Sequence, residues 1–418
     1  MNEVDRVNPI KGSKASRFSR AGAGVWGRWR YGVCGAIATL IILLQPGHLL
    51  PGQSAISLAA APATELRGVW MTNVDSDVLM STDKLKAGLA RLARLRFNTV
   101  YPVVWNWGYT LYPSPLAESV IGRSHLPNRG LRHRDMLAEA VAEGHQLGLA
   151  VIPWFEFGLM APAGSELAQR HPDWLTQRQD GTQVVMEGIW PRVWLNPFHP
   201  DVQQFIVGMI TELVETYDVD GIQLDDHFGL PRELGYDPYT VQLYRQEHNG
   251  QSPPADVSDP AWMRWRSDRI SQLMVQIFNA VKAHDPNCIL SLSPNTQDFS
   301  YRNYLQDWGS WERRGYVEEV ILQVYRDSLT PFRTELERPE VQQVHSHIPL
   351  AVGILAGLKN QLVSPELIQQ KVNAVRQRGL SGVAFFFYET LDQRDGLLEQ
   401  LFPEPAERPL SASLTRRS

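Results

Sequence analysis

Eight short apolar runs, separated by longer segments with helical periodicity, constrain the fold of this 418-residue chain more than any other feature. The runs are nearly continuous and rich in β-branched or aromatic residues, which is typical of parallel strands covered on both faces. They lie at 66–71, 99–104, 149–155, 221–225, 288–293, 320–325, 348–354 and 382–388. Eight repeats of strand followed by helix predict an α/β fold, a single (β/α)8 TIM-type barrel.

The segments between the runs predict amphipathic helices. In 82–95, leucines recur every three or four residues and therefore share one helix face. The helix at 200–217 opens with Pro200 and Asp201, which are typical of a helix start. Further helices are predicted at 134–147, 270–284 and 365–378. The longest separations follow the second, third and fourth strands, so we expect long loops there to build a substrate cleft.

The N-terminal segment has the order of a secretory signal. Seven basic residues within the first 30 precede an uncharged apolar run at 31–44, and three alanines at 59–61 fit a cleavage site. The apolar run is shorter than the roughly 20 residues that a membrane-spanning helix needs. We therefore predict an exported protein: a signal peptide over 1–61, with an uncleaved anchor as the alternative, a barrel over 62–402 and a polar tail over 403–418.

Composition excludes several classes of protein. A net charge of -5 with 43% hydrophobic residues is globular, and it argues against disorder and against a basic nucleic-acid binder. Removal of 1–61 would also remove Cys34 and leave Cys288 alone, so no internal disulfide is possible in the processed chain. An exported domain of this kind needs a large apolar core. We predict no cofactor, and the oligomeric state stays open.

Side chains at the carboxyl ends of the strands should converge on one mouth of the barrel. Carboxylates there suit glycoside hydrolysis, whereas aromatic rings and amides suit sugar rings and their hydroxyl groups. The carboxylate candidates are Asp225, Asp226, Glu156, Asp327 and Glu389. The candidates for substrate binding are Trp70, Asn73, Trp105, Trp154, Gln223, His227, Tyr325 and Tyr388. Two adjacent carboxylates directly after an apolar strand are costly unless they are paired or functional, so Asp225 and Asp226 stand out.

Residues 193–228, which end in DGIQLDDHF, resemble the signature stretch of the glycosyl-hydrolase-like family ten. LRGVW at 66–70, HPDWL at 171–175 and GVAFFFYETL at 382–391 agree, and the resemblance covers roughly 64–400. It implies a glycosidase-like barrel of the bacterial envelope or periplasm. It also implies a polysaccharide substrate, since some members resemble hydrolases of peptidoglycan glycan strands.

The resemblance also suggests roles for individual residues. By analogy with barrels that carry a nucleophile on the fourth strand, Asp225 would be the nucleophile and Asp226 would orient the loop or a neighbour. The acid stays open among Glu156, Asp327 and Glu389. Three positions depart from the family pattern, which often has Asp at Asn196, Tyr at His227 and Asn at Glu156; Asn196 joins the substrate-binding candidates.

Two other functions compete with a glycoside hydrolase of envelope polysaccharide. A non-catalytic sugar-binding barrel is one, because the fifth strand ends in Ser293 without a glutamate that could serve as the acid. A metal-dependent carbohydrate esterase is the other, and the run from Asp225 to His227 suggests it. A metal site needs several converging ligands, and we expect none here. The only close histidine pair, His345 and His347, is expected on one face of a strand.

Overall fold

The computed structural model describes residues 63–358 and 361–411. The predicted signal or anchor segment over 1–61 therefore lies outside the described residues. Within them, no helix is long and apolar enough to cross a bilayer.

One parallel sheet of nine strands organises the described chain. In chain order its strands are β1 Leu66–Met71, β2 Thr99–Pro102, β3 Ala150–Val151, β4 Trp154–Phe155, β5 Gly221–Asp225, β6 Ile289–Ser293, β7 Glu319–Gln323, β8 Leu350–Leu355 and β9 Gly382–Phe386. Their order across the sheet is β3-β2-β1-β9-β8-β7-β6-β5-β4. Every predicted apolar run contains a strand, and the bounds of β1 and β5 match the prediction.

The two edge strands of this curled sheet, β3 and β4, are halves of a single segment. Only Ile152 and Pro153 separate them. Ile152 donates its N–H to the carbonyl of Val100 on one side, and the carbonyl of Pro153 accepts from Gln223 on the other. The predicted third strand is therefore interrupted rather than continuous, because proline has no N–H to donate to a strand ladder.

Thirteen α-helices occur among the described residues, and many of them separate successive strands. They are α1 Thr82–Arg94, α2 Pro115–Ile121, α3 Met136–Gln146, α4 Glu166–Arg170, α5 Pro200–Thr216, α6 Pro238–Glu247, α7 Pro260–His284, α8 Gln297–Tyr304, α9 Trp308–Arg313, α10 Leu329–Leu336, α11 Pro339–His345, α12 Pro365–Gln377 and α13 Asp395–Leu401. All five predicted helices are present. Helix α7 begins ten residues before its predicted start, because Asp259 caps its N-terminus by accepting from the N–H of Trp262 at 2.9 Å.

Small antiparallel elements follow several sheet strands. The segment after β4 forms a three-stranded sheet of Met160–Pro162, Val185–Glu187 and Trp190–Trp194. Hairpins also follow β2 and β8, at Trp105–Asn106 with Tyr109–Thr110 and at Gly357–Leu358 with Gln361–Leu362. We call the pair of strands at 185–194 the rim hairpin, because it follows the carboxyl end of β4.

Residues 403–411 of the predicted polar tail are attached to the main sheet region by hydrogen bonds and an ion pair. Their backbone pairs with residues just before β1, since Glu65 and Glu407 form a hydrogen bond of 2.9 Å. Arg408 forms an ion pair with Glu319, whose side chain is 1% exposed, and donates to Thr99 at 3.1 Å. A buried carboxylate requires a cationic or hydrogen-bonded partner, and the C-terminal segment supplies it.

Candidate active site

Asp225 ends β5 and lies at the centre of a cluster of polar groups. Its Oδ1 accepts from the N–H of Asp226 at 2.6 Å and from Nε2 of Gln323 at 3.0 Å. Its Oδ2 accepts from the hydroxyl of Ser293 at 3.1 Å and from the indole N–H of Trp154. Burial, followed by the charge of Asp226, raises the pKa of Asp225 well above its usual range. The four donors oppose this effect and fix the orientation of the carboxylate.

These donors come from the strands next to β5. Trp154 belongs to β4, Ser293 ends β6 and Gln323 ends β7. Because parallel strands end at the same edge of the sheet, side chains from four consecutive strands meet there. Two residues earlier on β5, the side chain of Gln223 accepts from the indole N–H of Trp70 at 2.7 Å. Gln223 is also buried, so polar contacts extend from Asp225 into the interior of the sheet.

Asp226 and His227 form the next layer, which is more accessible. Asp226 accepts from Nδ2 of Asn295 at 2.6 Å. Nδ1 of His227 donates to the backbone carbonyl of Glu156 at 3.1 Å and lies 3.3 Å from Oδ1 of Asp226, and Nε2 donates to Oε1 of Glu187 at 2.9 Å. Burial lowers the pKa of His227, but the carboxylates of Asp226 and Glu187 outweigh it and raise this pKa to about 10. His227 is therefore an imidazolium at neutral pH.

Glu156 follows β4 and provides a third carboxylate next to those of Asp225 and Asp226. Its Oε2 accepts from the hydroxyl of Thr72 at 3.0 Å and from Nδ2 of Asn106 at 2.7 Å. No donor among the described residues binds its Oε1. Burial raises the pKa of Glu156 to about 7, although the Thr72 hydroxyl and the positive charge of His227 lower it. Glu156 can therefore hold a proton near neutral pH, which an ordinary glutamate does not.

Four aromatic side chains pack around the carboxylates. The ring centroids of Trp70 and Trp154 are 6.2 Å apart. The ring centroid of Phe386 lies 6.2 Å from that of Trp70 and 6.3 Å from that of Trp154. Tyr325 contacts Phe386 at 5.8 Å. Burial raises the pKa of Tyr325 well above its usual range, and the charges of Asp225, Asp226 and Glu156 raise it further. The phenol of Tyr325 is therefore neutral and lies within reach of the charges of all three carboxylates.

Three predicted substrate-binding residues do not belong to this cluster. Trp105 is fully buried, donates to the carbonyl of Gly158 at 2.9 Å and packs on a phenylalanine of α5. Asn196 is also fully buried, and its amide N–H groups donate to Asp237 and Thr240 at 2.9 Å. The ring of Tyr388 lies under the guanidinium of an arginine of α1 at 5.5 Å. Their contacts are those of packing, and the structure does not bring these three side chains into the carboxylate cluster.

Asn73 and Gln223, in contrast, are within the polar network. Asn73 accepts from Nδ2 of Asn106 at 2.8 Å, and the same Nδ2 binds Glu156. Gln223 lies one layer deeper and donates to Ser291 at 3.0 Å. Both side chains are buried in this structure and position other groups of the site.

The two remaining carboxylate candidates have other partners. Glu389 accepts from the hydroxyl of Ser76 in the loop after β1, and burial raises the pKa of Glu389. Asp327 is exposed, and its charge acts on Lys371. Among the three candidates for the acid, the structure brings Glu156 into contact with the Asp225–His227 segment.

Sequence reasoning missed Glu187 and Phe386. Glu187 belongs to the rim hairpin, in a long loop whose pairing no local pattern predicts. Phe386 is the last residue of β9, whereas a 3-10 helix at Tyr388–Leu391 turns Tyr388 away. Strand alternation over 382–388 would have identified Phe386 only if the end of the strand had been known.

Asp225, Asp226 and His227 each offer an atom within 4.8 Å of the others, as a metal site would require. A histidine that binds a metal is neutral and uses a lone pair. Both nitrogens of His227 face acceptors, however, so both carry protons. This trio therefore fits an internal ion pair better than a cation site.

The other histidines considered for a metal site are His345 and His347. The prediction that they share one face of a strand is wrong, because His345 ends helix α11 rather than a strand, and His347 binds Glu312 at 2.9 Å.

The sequence pattern of the family described as Glycosyl hydrolase-like 10 matches residues 65–374. The chain belongs to this family. Among its relatives is the glycosyl hydrolase DigH of Escherichia coli strain K12, 25% identical over 348 residues, with 69% of this chain and 74% of DigH covered. The glycosyl hydrolase YngK of Bacillus subtilis strain 168 is 26% identical over 298 residues, with 62% of this chain and 54% of YngK covered.

Solved structures with the same fold include further glycosidases. The glycoside hydrolase domain of PgaB (BpsB) from Bordetella bronchiseptica aligns with a TM-score of 0.63 and 15% identity, over 81% of this chain and 99% of that domain. The catalytic domain of the β-amylase of Paenibacillus polymyxa aligns with a TM-score of 0.55 and 10% identity, over 85% of this chain and 97% of that domain. At these identities the likeness concerns the fold, which this Glycosyl hydrolase-like 10 chain shares with glycoside hydrolase barrels.

Proposed function

We propose that this chain is a glycoside hydrolase that cleaves an envelope polysaccharide, the glycan strands of peptidoglycan, by a two-carboxylate mechanism. We further propose that the curled sheet works as a single (β/α)8 barrel, whose long loops after the second, third and fourth predicted strands form the cleft. The observation that carries the proposal is a protonatable Glu156 beside the Asp225–Asp226 pair.

Glu156 is the proposed general acid. A glycosidase must protonate the departing oxygen, so the acid needs a pKa near the working pH. Burial raises the pKa of Glu156 to about 7, and two donors hold its Oε2 while Oε1 has no donor among the described residues. The proton can therefore reside on Oε1, from which it can be transferred.

Asp225 is the proposed nucleophile, or the negative charge that stabilises an oxocarbenium-like transition state. Four donors from neighbouring elements fix its orientation, so little reorganisation is needed when positive charge develops on the sugar. Asp226 is the proposed positioning residue. Its backbone N–H binds Asp225, and its side chain bridges Asn295 and the imidazolium of His227.

Several observations support a saccharide substrate. Aromatic rings of Trp154, Phe386 and Tyr325 border the carboxylates and offer apolar faces for the C–H patches of sugars. The relatives DigH and YngK are named glycosyl hydrolases. The signal-like N-terminal segment and the family resemblance support an envelope polysaccharide, since export would bring the chain to the cell wall.

The decisive experiment measures release of new reducing ends from purified peptidoglycan glycan strands, with the wild type and Glu156→Gln side by side. We expect turnover by the wild type and a loss of about 10²- to 10⁴-fold in the variant. Activity should persist in EDTA, because the proposed chemistry uses carboxylates. A wild type that binds strands without cleaving them would support the non-catalytic barrel instead. Acetyl release that depends on a divalent ion would support the esterase.

A further inference from the structure

The rim hairpin exposes a large aromatic side chain close to the carboxylate cluster. Trp190 is 54% exposed, whereas Trp70, Trp105, Trp194, Trp262, Trp308 and Trp311 are almost completely buried. Trp190 is one of four exposed apolar residues in or next to this hairpin, with Val184, Met186 and Ile189, and a larger exposed apolar patch is typical of a binding surface. The position of the hairpin shows which part of the molecule this ring faces.

Strand pairing places Trp190 on the face of the hairpin that meets the candidate active site. In the antiparallel register Glu187 lies opposite Trp190, and Val185 lies opposite Arg192. Directly opposed side chains project from the same face of a sheet. Glu187 on this face binds Nε2 of His227 at 2.9 Å, and Arg192 lies 4.9 Å above the ring of Phe157.

The other face of the hairpin carries Met186 and Pro191, which are also opposed in the register. Met186 is 58% exposed, similar to Trp190. The two side chains therefore share one hairpin and nearly the same exposure, but alternation directs them to opposite faces. This pair provides a matched control.

A second aromatic group lies near the same charges on helix α8. Burial raises the pKa of Tyr304 to about 12, and the charges of Asp226 and Glu187 raise it further. Its ring is 6.1 Å from that of Phe299, which is 46% exposed. Exposed aromatic side chains thus occur on the element after β4 and on the element after β6.

We propose that Trp190 is a platform that stacks on a sugar ring of the substrate other than the two rings that the cleaved bond joins. The chain would then act on extended glycan strands rather than on short saccharides. The ligand class follows from the chemistry, because an exposed aromatic face next to the Glu187 carboxylate matches a pyranose ring with its hydroxyl groups. This inference rests on the proposed function. It adds a binding site that is separate from the reacting groups.

The experiment compares Trp190→Ala, Trp190→Phe and Met186→Ala in the full chain. Affinity for purified glycan strands is measured in a Glu156→Gln background, and kcat/KM is measured with strands and with an aryl disaccharide of the same sugars. We expect Trp190→Ala to weaken strand binding about tenfold, which corresponds to the ~1.4 kcal/mol of one stacking contact. Trp190→Phe should restore most of it, and Met186→Ala should bind like the parent.

Three outcomes decide the matter. If kcat/KM falls more for strands than for the disaccharide in Trp190→Ala, the platform is supported. If Trp190→Ala binds strands like the parent, or if Met186→Ala is weakened equally, the platform is refuted while the glycosidase proposal stands. If the wild type cleaves no glycan but binds strands through Trp190, the glycosidase proposal fails and the platform remains.

Discussion

The backbone carbonyl of Glu156 accepts a hydrogen bond from Nδ1 of His227 at 3.1 Å, which joins the end of β4 to the loop after β5. This contact holds a positive charge next to the carboxylate that we propose as the acid. The charge of His227 lowers the pKa of Glu156, whereas burial raises it more strongly. The balance of the two keeps this pKa at about 7, within the range where an acid catalyst works.

The pH profile should depend on Glu156. The proposed acid must be protonated, so kcat/KM should fall as the pH rises above about 7, and Glu156→Gln should lack this limb.

The stability of the fold should also depend on the protonation of Glu156. The folded-state pKa of Glu156 is raised above the ordinary value of 4.5, so the stability that protonated Glu156 contributes is lost as the pH rises from about 4.5 through 7. Glu156→Gln should therefore melt higher than the wild type at pH 8 and similarly at pH 4, by calorimetry. Equal melting shifts at both pH values would contradict the raised pKa.

Asp225→Asn should abolish nearly all turnover, because an amide cannot supply the negative charge of the transition state. Removal of one stabilising group typically costs about 10² to 10³ in rate, and removal of a nucleophile costs more. Asp226→Asn is the comparison and should lose less activity. An active Asp225→Asn enzyme would defeat the mechanism.

The charge of His227 should depend on Glu187. The pKa of His227 is raised to about 10 from 6.5, so the stability that this imidazolium contributes is present below pH 6.5 and is lost as the pH rises through 10. Glu187→Gln removes one of its carboxylate partners and should lower this pKa. NMR titration of the imidazole in the wild type and the variant measures the change. An unchanged titration would show that the rim hairpin does not hold His227.

Export is expected from the N-terminal segment. The mature protein should be recovered from the cell envelope or periplasm with an N-terminus near Ala61. N-terminal sequencing of that fraction tests this expectation. An intact Met1 on membrane-bound protein would support the anchor, and recovery from the cytoplasm would exclude export.

Sequence alone located a strand in each apolar run and predicted that polar side chains meet at the carboxyl ends of the strands. Short apolar runs between helical segments favour strands that are covered on both faces, and β1 and β5 match their predictions residue for residue. The location of Asp225 follows from the same pattern, because it is the carboxylate that ends such a run. The break at Pro153 was not predicted, because the apolar run continues through this residue. Proline nevertheless interrupts the strand, since it has no N–H to donate to a strand ladder.

Only the tertiary structure decided which of these residues act on one another. Glu187 comes from a hairpin in a long loop, and strand ends alone do not reveal that Glu156 rather than Glu389 meets the Asp225–His227 segment. The pKa of Glu156 and the charge of His227 arise from burial and from neighbours that are distant in the sequence. Desolvation and Coulomb interactions depend on distances in space, which periodicity along the chain does not encode.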